Sequence, residues 1–180
     1  YAVLEYIEGQ TVADAWKLMP SEQKKSVIKT LHDYVTRLQQ IKDDHSSTPG
    51  PLGRTSLACD AFQFGHKAKG PFEDSAELVG FLNERLDLIN PKRPKPLDPF
   101  HGEWPLVLTH NDLNMTNVMI DNDRKVWLLD WGRAGYYPQY FEQYAMIHTM
   151  PGLKQPEDWA AAIQEITGDY PEEMEKLDSI

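Results

Sequence analysis

Cys59 is the sole cysteine, so no internal disulfide can form and no Cys/His zinc spacing can be assembled. His32, His45, His66, His101 and His148 are scattered without metal-ligand spacing. No apolar run reaches the roughly eighteen residues of a membrane span, and no charged-then-apolar leader opens the chain. These absences predict no membrane association and a cytoplasmic location. Basic residues are scarce: 18 Lys and Arg stand against 28 Asp and Glu, for a net charge of −10. Nucleic-acid binding relies on clustered cations that displace counterions, so DNA and RNA are excluded as expected partners. The length of 180 residues fits one domain, spanning 1–180, with a single core.

Against these absences stands one dense segment, His110-Asn111-Asp112-Leu113-Asn114-Met115-Thr116-Asn117, followed by Asp130-Trp131-Gly132. The pattern H-x-D-x-x-x-x-N, then D-x-G, supplies three oxygen-bearing side chains with distinct roles in phosphoryl transfer. Asp112 would orient and deprotonate an acceptor, while Asn117 and Asp130 would hold Mg²⁺, a hard cation that takes oxygen ligands. A D-x-G tripeptide alone usually marks a turn, and an Asp/Asn-rich loop can be held by local side-chain bonds alone. Five fixed positions at fixed spacing are far less common. The surroundings agree. Pro105-Leu106-Val107-Leu108-Thr109 reads as a strand into the loop, and Val118-Met119-Ile120 with Val126-Trp127-Leu128-Leu129 reads as a hairpin turning at Asp121-Asn122-Asp123. Its two ends would bring Asn117 and Asp130 together.

Together with Val3-Leu4-Glu5-Tyr6-Ile7-Glu8-Gly9 and Ala134-Gly135-Tyr136-Tyr137-Pro138, these motifs resemble the aminoglycoside phosphotransferase and choline kinase-like enzymes over essentially the whole chain. The commoner family pattern has Gly at 111, Pro-Arg at 115–116 and often Glu at 132, where this chain has Asn111, Met115-Thr116 and Gly132. The resemblance implies an α+β, mainly helical fold: the C-terminal lobe of a protein kinase-like enzyme, with small β-hairpins at the catalytic site. It implies ATP and Mg²⁺ as cofactors and a small-molecule hydroxyl or amine as acceptor. It makes His110 a structural member of the loop that hydrogen-bonds backbone near Asp130. Residues 1–9 would be a hinge remnant, offering the Glu5 carbonyl and the Ile7 amide to adenine, with Met119 under the purine. Ordinary core packing serves equally well for Val3, Leu4 and Met119. Such enzymes carry a Gly-rich loop and a strand lysine before the hinge. No G-x-G-x-x-G occurs here and no Lys precedes Gly9, so the N-terminal nucleotide lobe is expected to be missing. A homo-oligomer or a partner chain would then cover the exposed apolar surface.

Along the chain, Thr11 should cap a short helix over 11–19, and Ser21 the next, over 21–42, with Val27, Leu31, Val35, Leu38 and Ile41 as its apolar stripe. Residues 43–73 are rich in Gly, Pro, Ser and Asp and read as one long loop, functional or disordered. A helix over 75–89 should bury Leu78, Phe81, Leu82, Leu86 and Ile89, and the prolines at 91, 94, 96 and 99 enforce an extended connection. After Gly135 a helix is expected with Pro138 near its first position, then helices over 157–166 and 171–177. Trp104, Tyr136, Tyr137, Tyr140 and Trp159 are candidates to wall an acceptor pocket, Tyr137 and Trp159 first among them, although aromatics near helix starts are more often packing. The acidic balance would draw a cationic acceptor or simply confer solubility. The alternative function is a lobe that binds a ligand, or one reused for non-phosphoryl chemistry.

Overall fold

The computed structural model describes residues 5–53, 57–65, 67–102, 104–149 and 155–180. Val3, Leu4 and His66 lie outside them. Residues 5–8 have no regular secondary structure. Then follow strand β1 (Gly9–Thr11) and a short helix α1 (Val12–Ala15). Thr11 caps α1: its hydroxyl oxygen accepts from the Asp14 amide at 3.1 Å, satisfying a donor the first turn leaves unpaired. A 3-10 turn, Trp16–Leu18, leads to the long helix α2 (Ser21–Gln40). Pro20, not Ser21, is the N-cap of α2. Proline already has extended ψ there, so Ser21 is drawn into the first turn. Val27, Ile28, Leu31 and Val35 form the buried stripe. Ile41 does not join it: the chain leaves helical geometry at this residue, and its side chain is 46% exposed.

Over its described residues the segment 43–73 is largely irregular and exposed, as its composition suggests, but parts of it are tied to the core. It contributes strand β2 (Gly50–Pro51), a reciprocal backbone bridge between Cys59 and Lys69, and a 3-10 turn, Phe62–Phe64. Cys59, Ala61, Phe64 and Phe72 are buried in it. Helix α3 (Ser75–Ile89) begins in a reciprocal cap: Asp74 accepts from the Glu77 amide, and Glu77 accepts from the Glu73 amide. Leu78, Leu82 and Leu86 are buried at fourfold spacing, with Phe81 and Ile89 half-buried. The proline-rich connection is held by Asn83 and Asn90, whose side-chain amides exchange paired hydrogen bonds with the backbone of Phe100 and Leu97.

Strands β3 (Leu106–Thr109), β4 (Val118–Asp121), β5 (Val126–Leu128) and β6 (Gly135–Pro138) follow, then helices α4 (Tyr140–His148), α5 (Glu157–Thr167) and α6 (Pro171–Ser179). Pro138 therefore ends a strand instead of opening a helix. β6 pairs antiparallel with β3, Leu106 opposite Pro138 and Thr109 opposite Gly135, and its other edge takes β2. β4 is the centre of a second antiparallel sheet between β1 and β5. One core joins α2, α5 and the β4–β5 hairpin. A second is largely aromatic, built from Phe64, Phe72, Phe100, Tyr137, Tyr140 and Phe141 with the leucines of α3. The described residues thus form an α+β arrangement of helices around two small antiparallel sheets. Among them no helix is long and apolar enough to cross a membrane.

Candidate active site

The chain crosses between the two sheets twice. β3 leaves one sheet and residues 110–117 carry the chain to β4; β5 returns through residues 129–134 to β6. Because β4 pairs with β5 and β3 with β6, the two crossings must run side by side. They are stitched directly, the Leu129 amide donating to the Asn117 carbonyl at 2.8 Å. The motif of Asp112 and Asn117 is the first crossing; that of Asp130 is the second.

Within the first crossing the asparagines set the loop. The Asn114 side-chain oxygen accepts from the Thr116 amide at 2.8 Å and the Thr116 hydroxyl at 2.6 Å, a local turn that needs no tertiary contact. Its amide nitrogen donates to the Asp112 carbonyl at 3.1 Å and the carboxylate at 3.3 Å. Asn117 donates to the same carbonyl at 2.9 Å. That bond uses the nitrogen end of the Asn117 amide and leaves its oxygen outside the bonds of the loop. Asp130 is exposed and sits at φ 59°, in the left-handed region, with the Gly132 amide donating to its carboxylate at 3.3 Å.

His110 is fully buried, its Nε2 is 2.9 Å from the Leu129 carbonyl, and its ring lies 4.7 Å from that of Trp131. Burial lowers its pKa, opposed by the Leu129 carbonyl and by Asp130. The neutral ring with a proton on Nε2 donates to Leu129, tying the first crossing to the second. Asp112 is half-buried, and burial raises its pKa; the Arg133 guanidinium and the Asn114 amide pull the other way, while Asp130 adds to the rise. Asp112 and Asp130 are therefore close enough to feel each other's charge.

The whole length from 1 to 177 matches the phosphotransferase enzyme family, APH. The chain belongs to this phosphotransferase family. No curated protein matches it. In this phosphotransferase-family chain, Asp112, Asn117, Asp130 and His110 share one place, and Met119 lies two residues beyond Asn117 on β4, opposite Thr11 and Trp127. Glu5 is exposed and Ile7 half-buried, both in the irregular segment preceding Gly9, which pairs with Asp121.

Tyr137 and Trp159 are packed into the core. Tyr137 is 0% exposed and packs on Phe141 with ring centroids at 5.5 Å; Trp159 is 1% exposed and meets Trp16 edge-on at 5.2 Å. Both are core residues, as is Tyr140.

Three residues outside the motifs bear on the site. Arg133 influences Asp112 and rests its guanidinium 4.2 Å from the Phe62 ring. Glu142, in α4, is buried and accepts from the amides of His110 and Asn111. Gln63 donates to the Asn111 side chain and to the Phe141 carbonyl. The sequence held one hint of Glu142, an acid set within the aromatic run of α4, and none of Gln63.

Proposed function

We propose that this chain is the catalytic, C-terminal-lobe part of a kinase-like enzyme that transfers the γ-phosphoryl group of ATP, with Mg²⁺, to a hydroxyl or amine of a small molecule. The observation that carries this reading is the side-by-side run of the two sheet crossings, which gathers Asp112, Asn117 and Asp130. The donor set fits the metal. One exposed carboxylate and one amide oxygen free of loop bonds are hard oxygen ligands, few in number, as suits a cation that takes its remaining ligands from phosphates and water. Mg²⁺ held there would neutralise charge building on the donor phosphates.

The remaining steps belong to side chains of this chain. Asp112 accepts a hydrogen bond from the acceptor group and takes its proton as the new O–P or N–P bond forms and the β–γ bridging bond breaks to release ADP. Its partial burial makes it a stronger base than an exposed carboxylate, and Arg133, Asn114 and Asn117 temper the rise. Asn114 and Asn117 hold the Asp112 backbone. His110 fixes the spacing of the two crossings without exchanging protons with substrate. The Glu5 carbonyl, the Ile7 amide and Met119 are assigned to adenine on family grounds.

The test is titration calorimetry of the chain with ATP, with and without Mg²⁺, together with an assay of ADP release. Asp130→Ala should abolish the Mg²⁺-dependent part of binding. Asp112→Ala should keep binding and lower turnover by about 10²–10⁴-fold, the usual share of a general base. Full turnover in Asp112→Ala, or unchanged Mg²⁺-dependent binding in Asp130→Ala, would refute the reading.

A further inference from the structure

The connection from α3 to β3 is ordered along its exposed length. Every residue from Lys95 to Pro99 except Leu97 is a proline or directly precedes one. Proline fixes its own φ at about −65° and drives the residue before it into extended or polyproline II geometry, so Lys95, Pro96, Asp98 and Pro99 are constrained by sequence alone. Leu97 is constrained by the fold. The Asn90 side chain donates to its carbonyl at 3.0 Å and accepts from its amide at 2.9 Å. Asn83 holds Phe100 in the same way, at 3.0 and 2.7 Å. The chain bends over 93–95 and is free of turns and bends from Pro96 to Phe100.

Burial follows the same order. A polyproline II helix repeats about every three residues, which places Leu97 and Phe100 on one edge. Leu97 is half-buried, Phe100 is buried, and both pack into the aromatic core. The other two edges, Lys95 with Asp98 and Pro96 with Pro99, are exposed. A groove that reads polyproline II contacts two edges of its ligand and leaves the third free; here the third edge is the one the fold takes. Pro94, Pro96 and Pro99 have no N–H, so the strap cannot add as a strand to a sheet edge. Among the described residues nothing donates to the carbonyls of Pro96 and Asp98, which remain open to a donor.

The strap is also a cationic spot on an acidic chain. Lys92, Arg93 and Lys95 fall close together in a sequence of net charge −10. Lys92 and Lys95 are exposed, and Arg93 donates to Ser179 and Glu175 of α6 at 2.9 Å each. The Glu175 side of that pair is exposed, and such pairs contribute little, so an incoming carboxylate can replace Glu175. We propose that Arg93–Pro99, with the spacing Arg-x-x-Pro-x-x-Pro, is a docking strap for a partner protein domain of the SH3 type, whose aromatic-lined groove takes the exposed edges of Pro96 and Pro99 and whose acidic rim takes Arg93 and Lys95. Because Asn83 and Asn90 clamp the strap before binding, little further ordering is needed.

The test is titration calorimetry of the full chain against a panel of purified SH3 domains that bind Arg-x-x-Pro-x-x-Pro peptides. At least one domain should bind wild type, with affinity falling as salt rises. Removing a ring that fills a pocket weakens binding about fivefold or more, so Pro96→Ala/Pro99→Ala should lose at least about tenfold. Lys95→Glu should lose about threefold or more at low salt. Both variants should keep the wild-type circular dichroism spectrum and melt within about 8 °C of wild type, the most that two exposed prolines contribute through the unfolded chain. The isolated peptide 91–100 should bind the same domain more weakly than the folded chain, because it must be ordered on binding. Absence of binding across the panel, wild-type affinity in either variant, or a free peptide that binds more tightly than the chain would overturn the proposal. Should Pro96→Ala/Pro99→Ala not fold, Lys95→Glu decides by the same criterion.

Discussion

Trp159→Ala should destabilise the chain severely while leaving any ligand site intact. The indole is 1% exposed, lies edge-on to Trp16 with centroids 5.2 Å apart, and fills the core between α2 and α5. Trp16 is fixed in turn by its Nε1 donating to Asp158 at 2.8 Å, and Asp158 also receives Lys24 at 2.6 Å. Truncating a buried tryptophan to alanine costs about 3–5 kcal/mol, as lost transfer free energy plus the cavity left behind. The edge-on pair accounts for about 0.5–1.5 kcal/mol of that. At roughly 2–4 °C per kcal/mol for a chain of this size, the melting temperature should drop by about 6–20 °C. Thermal unfolding followed by far-ultraviolet circular dichroism reads this loss. A double-mutant cycle with Trp16→Ala should return a coupling of about 0.5–1.5 kcal/mol. Trp159→Phe, which keeps an aromatic edge, should lose much less and bind MgATP like wild type. A variant Trp159→Ala that melts within about 2 °C of wild type and yet binds an acceptor far more weakly would refute the core assignment and return Trp159 to the pocket wall.

Glu142 should impose a pH dependence on stability. Burial pushes its pKa from an ordinary 4.5 up to about 7, against the pull of the Asn111 and His110 amides. The folded state therefore holds a proton that the unfolded state has released, so this stabilising contribution is full below about pH 4.5 and is lost as pH rises through about 7. Urea unfolding from about pH 5 to about pH 8 should show stability falling more steeply in wild type than in Glu142→Gln; parallel slopes would remove Glu142 as the source. At Gly135, a Cβ would meet the Gly50 carbonyl oxygen across the β2–β6 pair and lie 2.6 Å from Tyr137 Cε2. Gly135→Ala should accordingly cost about 1–3 kcal/mol through overpacking, or about 2–12 °C in melting temperature; an unchanged melting temperature would show that the strands can separate freely.

How far the sequence could be read depended on whether a residue acts through neighbours close in the chain. α3 was legible to its ends because its signals are local: Asp74 and Glu77 cap it, and Leu78, Leu82 and Leu86 repeat along one face. The β4–β5 hairpin was legible for the same reason, its turn residues lying between two apolar runs. β6 was not. In Gly135-Tyr136-Tyr137-Pro138 the two tyrosines favour a strand, but they are flanked by glycine and proline, which do not, and proline suggests a helix start. The strand exists because β3, far earlier in the chain, offers an edge, and because Gly135 admits the Gly50 carbonyl on the other side. The segment 43–73 misled in part through composition. Its glycines and prolines suggest an open loop, which most of it is, while Cys59, Phe64 and Phe72, spaced among them, tie it to the aromatic core.

The candidate site divides along the same line. The roles proposed for Asp112, Asn117 and Asp130 need particular side chains at particular offsets, so a short pattern can carry them. Glu142 and Gln63 bond to residues 31 and 48 positions away in sequence. Their partners include backbone amides, which every residue but proline possesses, so nothing at position 110 or 111 marks the need for a buried acceptor. Tyr137 and Trp159 show the converse: aromatic rings look like pocket walls in sequence, yet their area makes them core unless a cavity opens beside them. A pattern search therefore finds the groups proposed to touch the phosphates and misses the distant side chains that bond to their loop.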